Sequence, residues 1–292
     1  MRAAYTNTLR KKYKMNSLQY KLIVSDFDGT LLRSDGEIAP ETLAAIEKYQ
    51  SFGGCFSLCT GRTLASALPI ARRLGLTGLV ACFQGSVIAD IATGVLIEDG
   101  YIESSGAAEI CRFLEGLGQH IHVYDTQAFY ANKDNAALKE YERIVGVKGT
   151  VVSEEPLSAF VDRIGLKTRK VLVMVAPEKR SVVFERLLER FGDEYYITCS
   201  AAFLVEVSNR RYSKATALEK IAAYYGVSLA ETVAVGDGLN DLPMIQRAGL
   251  GIAVKNAEDS LKEKADTVFA YSNDENAIGE IISQYGFGEY KG

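Results

Sequence analysis

From Lys21 onward, short apolar runs alternate with amphipathic stretches, the signature of strands and helices in turn. Leu22-Ile23-Val24 predicts a buried strand ending at Ser25-Asp26. A helix follows from about Pro40, a residue suited to a first helical turn, and ends near Gly53-Gly54. Cys55 to Cys59 predicts the next strand, followed by a turn at Thr60-Gly61 and a helix that stops at Gly75. Leu79 to Phe83 is a third strand. Val87-Ile88-Ala89 and Val95-Leu96-Ile97, joined through Thr93-Gly94, predict a hairpin. Continuous apolar strands separated by helices imply a parallel sheet covered on both faces.

Between about Gly100 and Val205 the pattern changes. Strands such as His120-Ile121-His122-Val123-Tyr124 alternate, and helices such as Glu178 to Arg190 carry more charge. This predicts a separate α+β unit, an antiparallel sheet with helices on one side. The buried-sheet pattern then returns: a helix from near Ser213, a strand Thr232-Val233-Ala234-Val235 leading into Gly236-Asp237, a helix from Asp241, and a strand Ile252-Ala253-Val254. The expected organisation is a doubly wound, Rossmann-like α/β domain from 20–100 and 206–292. An α+β unit at 101–205 is inserted in it, and a basic extension at 1–19 precedes it.

Composition narrows the function. The chain has 292 residues, 48% of them apolar, which suffices for two compact units. Thirty-three Lys and Arg against thirty-seven Asp and Glu give a net charge of −4, which argues against a nucleic-acid binder. Five basic residues and no acid fall within the first 14 positions, leaving 28 basic against 37 acidic in the rest. The longest uncharged run, Leu74 to Ala89, has 16 residues, short of the roughly 20 that a membrane-spanning helix needs. Five scattered cysteines without a Cys-x-x-Cys pair, and only two histidines, leave little for a zinc site and fit a reducing cytosol. The expected setting is cytoplasmic, as a monomer or weak homodimer without membrane or nucleic-acid partners.

In open α/β sheets, ligands collect at the carboxyl ends of the strands. Four segments should meet there: Asp26-Phe27-Asp28-Gly29-Thr30, Thr60-Gly61-Arg62, the neighbourhood of Lys214, and Gly236-Asp237-Gly238-Leu239-Asn240-Asp241. No Gly-x-x-x-x-Gly-Lys-[Ser/Thr] loop exists, so a nucleotide-triphosphatase cradle is absent. What converges is four carboxylates, one hydroxyl and one ammonium. Like charges this close repel by several kcal/mol per pair at an effective dielectric near 20. A hard divalent cation relieves them, and Mg²⁺ favours a few carboxylates together with phosphate oxygens.

These four segments, in this order and spacing, resemble the motifs of the haloacid dehalogenase superfamily phosphatases. An insertion of about a hundred residues between the second and third resembles the cap of the Cof-type branch (class IIB cap). Gly251 to Ala257 and Lys264-Ala265-Asp266 resemble that branch's closing segment. The resemblance spans about residues 20 to 285. It implies a Mg²⁺-dependent phosphatase of small phosphorylated metabolites, such as sugar phosphates or pyridoxal- and flavin-precursor phosphates, acting through an aspartyl phosphate. Asp26 would be the nucleophile and Asp28 the general acid/base; Thr60 would donate a hydrogen bond to the transferring group, and Lys214 would neutralise phosphate charge. Phe27, Gly61, Arg62 and Asn240 would lie against phosphate or substrate, with Arg62 as a structural or gating residue. The metal would rest on Asp26, the Asp28 backbone carbonyl and Asp237, with Asp241 close by.

Other readings stay open. A phosphomutase or phosphotransferase would pass the phosphoryl group to a second hydroxyl. A receiver-like signalling module would hold it, although Asp28 and the large insertion argue against that. A glycosyltransferase Asp-x-Asp motif leaves Gly236 to Asp241 without a place. Two departures from the branch, Gln84-Gly85 where it has Asn-Gly and Arg210-Arg211-Tyr212-Ser213-Lys214-Ala215 around the third motif, touch the substrate mouth. Within the insertion, Arg169 and Lys170 are candidates for contacting substrate. His120 and His122 are expected as a solvated or sheet-surface pair, and Tyr124, Tyr130 and Tyr141 as packing residues.

Overall fold

The computed structural model describes residues 18–125 and 128–287; the basic extension lies outside the described residues apart from its last two positions. The first strand, β1 (Leu22–Ser25), is buried along its whole length and pairs in parallel with β2 (Cys55–Leu58) on one side and β12 (Thr232–Gly236) on the other. The sheet continues outward through β13 (Leu250–Ala253) to β14 (Thr267–Val268), giving the order β14-β13-β12-β1-β2, all parallel. Chain direction across the sheet reverses at β1, so its carboxyl end is a topological switch point where two connections leave in opposite directions and open a crevice.

The helices follow from local signals. Pro40 sits in the first turn of α1 (Pro40–Ser51), whose buried Thr42, Ile46 and Tyr49 lie on one face. Thr63 caps α2 (Leu64–Arg73), accepting the Ser66 amide. β3 (Leu79–Cys82) continues the parallel sheet through a single bridge from Ala81 to Cys59, then pairs antiparallel with β4 (Val87–Asp90), which pairs with β5 (Leu96–Asp99). The expected hairpin is thus present, its turn held by Asp90, which accepts from the Thr93 amide and hydroxyl.

The inserted unit is a six-stranded sheet of order β10-β11-β9-β6-β7-β8, built from β6 (His120–Tyr124), β7 (Phe129–Ala131), β8 (Thr150–Val151), β9 (Val171–Met174), β10 (Tyr195–Ala201) and β11 (Leu204–Asn209). It is antiparallel except between β7 and β8. Because β11 runs to Asn209, the boundary expected at 205/206 falls inside a strand; the sheet ends four residues later. The acid at Glu206 interrupts the apolar run and mimics a strand end, although its side chain is buried.

Period-two alternation sorts this sheet into two faces. Ile121, Val123, Val171, Val173, Val205 and Val207 pack against three helices, α3 (Ser104–Gly116), α5 (Leu157–Arg163) and α6 (Arg180–Phe191). The intervening residues His120, His122, Tyr124, Lys170, Leu172 and Glu206 look the other way, toward the parallel sheet, with α4 (Ala136–Val145) packed beside them. His120 and His122 are therefore buried, contrary to the solvated pair expected. Two residues apart on a strand they do share a face, but that face meets a second layer of protein. Tyr124 and Tyr141 are buried packing residues as expected.

The chain returns through α7 (Lys214–Tyr225). Ser213 caps it with a reciprocal Ser213–Thr216 bond pair, and Gly226, at φ +65°, ends it. The last helices are α8 (Leu242–Arg247), α9 (Asp259–Lys262) and α10 (Ala277–Ile281). Among the described residues no helix is long and apolar enough to cross a membrane. All five cysteines carry free thiols, and burial pushes Cys59 up to about 12, so it is an inert packing residue.

Candidate active site

Three neighbouring strands deliver the site. Asp26 follows β1, Thr60 follows β2 and Asp237 follows β12, so their order in space is Asp237, Asp26, Thr60. The Asp26 amide donates to the Val235 carbonyl at 2.9 Å, which extends the ladder one residue and fixes where that carboxylate emerges. The chain then turns sharply: the Leu31 and Leu32 amides both donate to the Phe27 carbonyl. Gly29 is required within this turn. Its φ is +77°, and a Cβ there would lie 2.4 Å from Asp237 Oδ2.

One oxygen from each of Asp26, Asp237 and Asp241 lies within 4.8 Å of the others. Lys214, at the start of α7 and fully buried, places its ammonium 2.5 Å from Asp26 Oδ1 and 2.5 Å from Asp241 Oδ1. The second Asp241 oxygen accepts the Asp237 and Gly238 amides, both at 3.0 Å, so this side chain is occupied on every side by the protein itself. Asp237 accepts the Thr30 hydroxyl on Oδ1 at 2.6 Å. One ammonium faces three clustered carboxylates, and the electrostatics follow. Burial raises Asp26 well above the ordinary carboxylate value; Lys214 opposes this, while Asp241, Asp237 and Asp28 add to it. Burial and then Asp241 push Asp237 up to about 7, against the Thr30 hydrogen bond. Burial works against the Lys214 charge, but Asp241 and Asp26 outweigh it and hold that pKa above the ordinary lysine value.

The remaining expected residues surround this centre. Asp28 is half exposed and turns away from the carboxylate cluster to meet Arg62 in a two-pronged ion pair, Nε–Oδ2 2.8 Å and Nη2–Oδ1 2.7 Å. Phe27 is buried in the core, and the Arg62 guanidinium lies over its ring at 4.6 Å. Its side chain thus supports Arg62 from below. Thr60 is buried and its hydroxyl accepts the Arg62 amide at 3.1 Å. Asn240 donates to Gln84 Oε1 at 3.2 Å.

Several residues lie here that the sequence did not single out for this place. Gln84, noted only as a departure from a pattern, is buried among Gly61, Asn240 and Glu206. Lys170 forms a buried ion pair with Glu206 at 3.2 Å and donates to the Gly61 carbonyl at 3.1 Å. Arg169, the other candidate, pairs with Asp99. The signal that could have found Glu206 is an acid set between two valines of an apolar run.

The geometry agrees with what comparison with known proteins finds. A family model of haloacid dehalogenase-like hydrolases matches residues 23–282. The chain is 29% identical over 266 residues to the 5-amino-6-(5-phospho-D-ribitylamino)uracil phosphatase YcsE of Bacillus subtilis, covering 91% of this chain and 95% of that one. It is 27% identical to the phosphatase YwpJ of the same organism, covering 90% and 98%. Among solved structures, TM0651 from Thermotoga maritima superposes with a TM-score of 0.74 at 30% identity, covering 91% and 97%. With the carboxylate ends of three parallel strands and an inserted sheet set over them, the chain belongs to the haloacid dehalogenase-like hydrolases, in their Cof-type phosphatase branch.

Proposed function

We propose that the protein hydrolyses small phosphate monoesters, using Mg²⁺ and an aspartyl phosphate formed on Asp26. The observation that carries this reading is the charge imbalance around Asp26: three clustered carboxylates, one ammonium between two of them, and an oxygen each on Asp26 and Asp237 turned to the same space. An all-oxygen donor set with excess negative charge suits a hard divalent cation. Asp26 and Asp237 would hold it with the Asp28 backbone carbonyl. Asp241, its oxygens taken up by Lys214 and two amides, would orient the others. When bound, Mg²⁺ would neutralise charge on the phosphate and on the attacking carboxylate.

The chain's own residues supply the rest. The bond from Lys214 to Asp26 aims one carboxylate oxygen and screens it from Asp241, so that it can approach a dianionic ester. The ester oxygen leaves with a proton from Asp28, which turns from the Arg62 fork to reach it; Asp28 then takes a proton from the water that cleaves the acyl phosphate. The Thr60 hydroxyl, the Gly61 amide and Asn240 would steady the transferring group, and Arg62 gates the mouth. The inserted sheet would act as a cap that closes over the leaving group. Small sugar phosphates or flavin- and pyridoxal-precursor phosphates are the substrates this reading favours, in line with the relative that acts on 5-amino-6-(5-phospho-D-ribitylamino)uracil.

Hydrolysis of p-nitrophenyl phosphate and of a panel of phosphorylated metabolites, with Mg²⁺ and after EDTA, tests the proposal. Activity restored by Mg²⁺ is the expected result. Turnover that survives EDTA, or none on any ester, overturns it.

A further inference from the structure

A chain of four buried polar side chains runs from the phosphate site into the inserted sheet. Asn240 Nδ2 donates to Gln84 Oε1 at 3.2 Å, and Gln84 Nε2 donates to Glu206 Oε2 at 3.4 Å. Glu206 pairs with Lys170, whose ammonium reaches the Gly61 carbonyl. Ser200 donates to the other Glu206 oxygen at 2.5 Å, and the Tyr124 ring faces the Lys170 ammonium at 5.1 Å. Gln84, Glu206, Lys170 and Asn240 are all nine-tenths or more buried. An unmade bond in such a place costs more than at a surface, so these groups hold each other's positions.

Gln84 is the joint of this chain, and its backbone is strained to make it so. Phe83 and Gln84 have φ of +50° and +58°, left-handed values that side-chain-bearing residues seldom adopt, and Gly85 follows at +95°. The strained turn grips the second motif: the Phe83 amide donates to the Arg62 carbonyl and the Gln84 amide to the Thr60 carbonyl, both at 3.0 Å. It also presses on the third. A Cβ at Gly85 would lie 2.4 Å from the Ser213 carbonyl, beside Lys214, and a Cβ at Gly61 would lie 2.6 Å from Gln84 Nε2. One turn therefore touches the Thr60-Gly61-Arg62 loop, the start of α7, Asn240 and the inserted sheet.

We propose that Gln84 is a positioning residue that couples the seating of the inserted sheet, through Glu206 and Lys170, to the placement of Asn240 and Gly61 around the phosphate. A glutamine is long enough to join Asn240 to Glu206; an asparagine, one methylene shorter, keeps the amide and tolerates the left-handed backbone but reaches only one of them. The sheet's contribution matters for substrates whose leaving group it must close over, and far less for a very small one. The inference rests on the phosphatase reading, and its test separates the two.

Gln84→Asn is compared with wild type on glucose 6-phosphate and on methyl phosphate. The expected result is about a tenfold fall in the ratio of kcat/KM for the larger ester to that for the smaller, a ratio that a lower Tm from the lost buried bond does not move. Partial unfolding scales both substrates alike and leaves the ratio untouched. Glu206→Gln lowers the same ratio, and the double variant lowers it no further than the larger single effect, because both cut one chain. An unchanged ratio in Gln84→Asn, or additive losses, overturns the proposal. If wild type hydrolyses no ester of the metabolite panel, the phosphatase reading fails, and hydrogen exchange judges the coupling by itself. Faster exchange in both β11 and the 60–62 loop of Gln84→Asn upholds it, and a change confined to residues 83–85 sinks it.

Discussion

Two buried polar centres lie within this molecule and solve opposite problems. Around Asp26 in the parallel sheet, carboxylates outnumber the ammonium, and burial raises both Asp26 and Asp237. In the inserted sheet, His120 and His122 share a hydrogen bond between their Nε2 atoms at 2.7 Å, with Asn135 on the far nitrogen of His120 and the Tyr124–Tyr141 hydroxyl pair nearby. Burial lowers these imidazoles, His120 to about 4 and His122 to about 2, so both are neutral. The first centre is left short of positive charge, the charge that the proposed cation would supply. The second is satisfied from within, one imidazole donating and the other accepting, and asks for nothing. A ligand site is thus distinguished from a structural polar core less by burial than by whether its charges close.

The largest expected effect breaks the comparison at its charged end. Asp26→Asn should lower p-nitrophenyl phosphate turnover by roughly a thousandfold or more, since it removes the attacking oxyanion and leaves the fold, read by circular dichroism, in place. More than a few per cent of residual turnover would exclude covalent catalysis. Lys214→Met comes next: stripping the ammonium from two buried carboxylates should cost about 3–5 kcal/mol in urea unfolding as well as activity. An equal substitution on an exposed pair, Arg143→Met opposite Glu140, should leave the urea midpoint where it was, because solvent screens that pair.

The two centres should also respond oppositely to pH, which sharpens the contrast. Asp237 titrates near 7 in the fold and near 3.9 unfolded, so without metal the folded state binds the extra proton between these values. Stability from this group is full below about pH 4 and lost as pH rises to about 7. His120, near 4 folded and about 6.5 unfolded, does the reverse: its contribution is full above about pH 6.5 and lost, on the order of 3 kcal/mol, as pH falls to about 4. Hydrogen exchange should therefore quicken in β1 and β12 on the alkaline side and in β6 on the acid side. Mg²⁺ should remove only the first. Among the buried sites the smallest effect belongs to His122→Phe, which is set among Phe129, Tyr124 and Tyr141 and should change stability by less than about 1–2 kcal/mol while flattening the acid limb. An acid limb of wild-type slope in that variant would detach it from the histidine pair.

The parallel sheet and the convergence of Asp26, Asp237, Asp241 and Lys214 were legible because each rests on a local signal: an apolar run, a turn, and a charged residue at its end. What was not legible depends on what lies across a gap. Alternation places His120 and His122 on one face but does not say that a second layer covers it. Glu206 reads as the end of a strand unless the partner Lys170 is known to wait opposite. Nor does any propensity foretell left-handed Phe83 and Gln84, since that conformation is imposed by the neighbours they serve.

The pairing of β1 with β12 joins Leu22 to Thr232, near opposite ends of the chain. During synthesis the inserted sheet, continuous in sequence through Asn209, is complete before β12, the second strand to flank β1, has been made. A nascent chain therefore carries a finished inserted sheet beside an unfinished parallel one, and Asp26 stays without its ammonium and companion carboxylates until the last third emerges. Such distant pairing also slows the final collapse, so catalytic competence should arrive late and all at once.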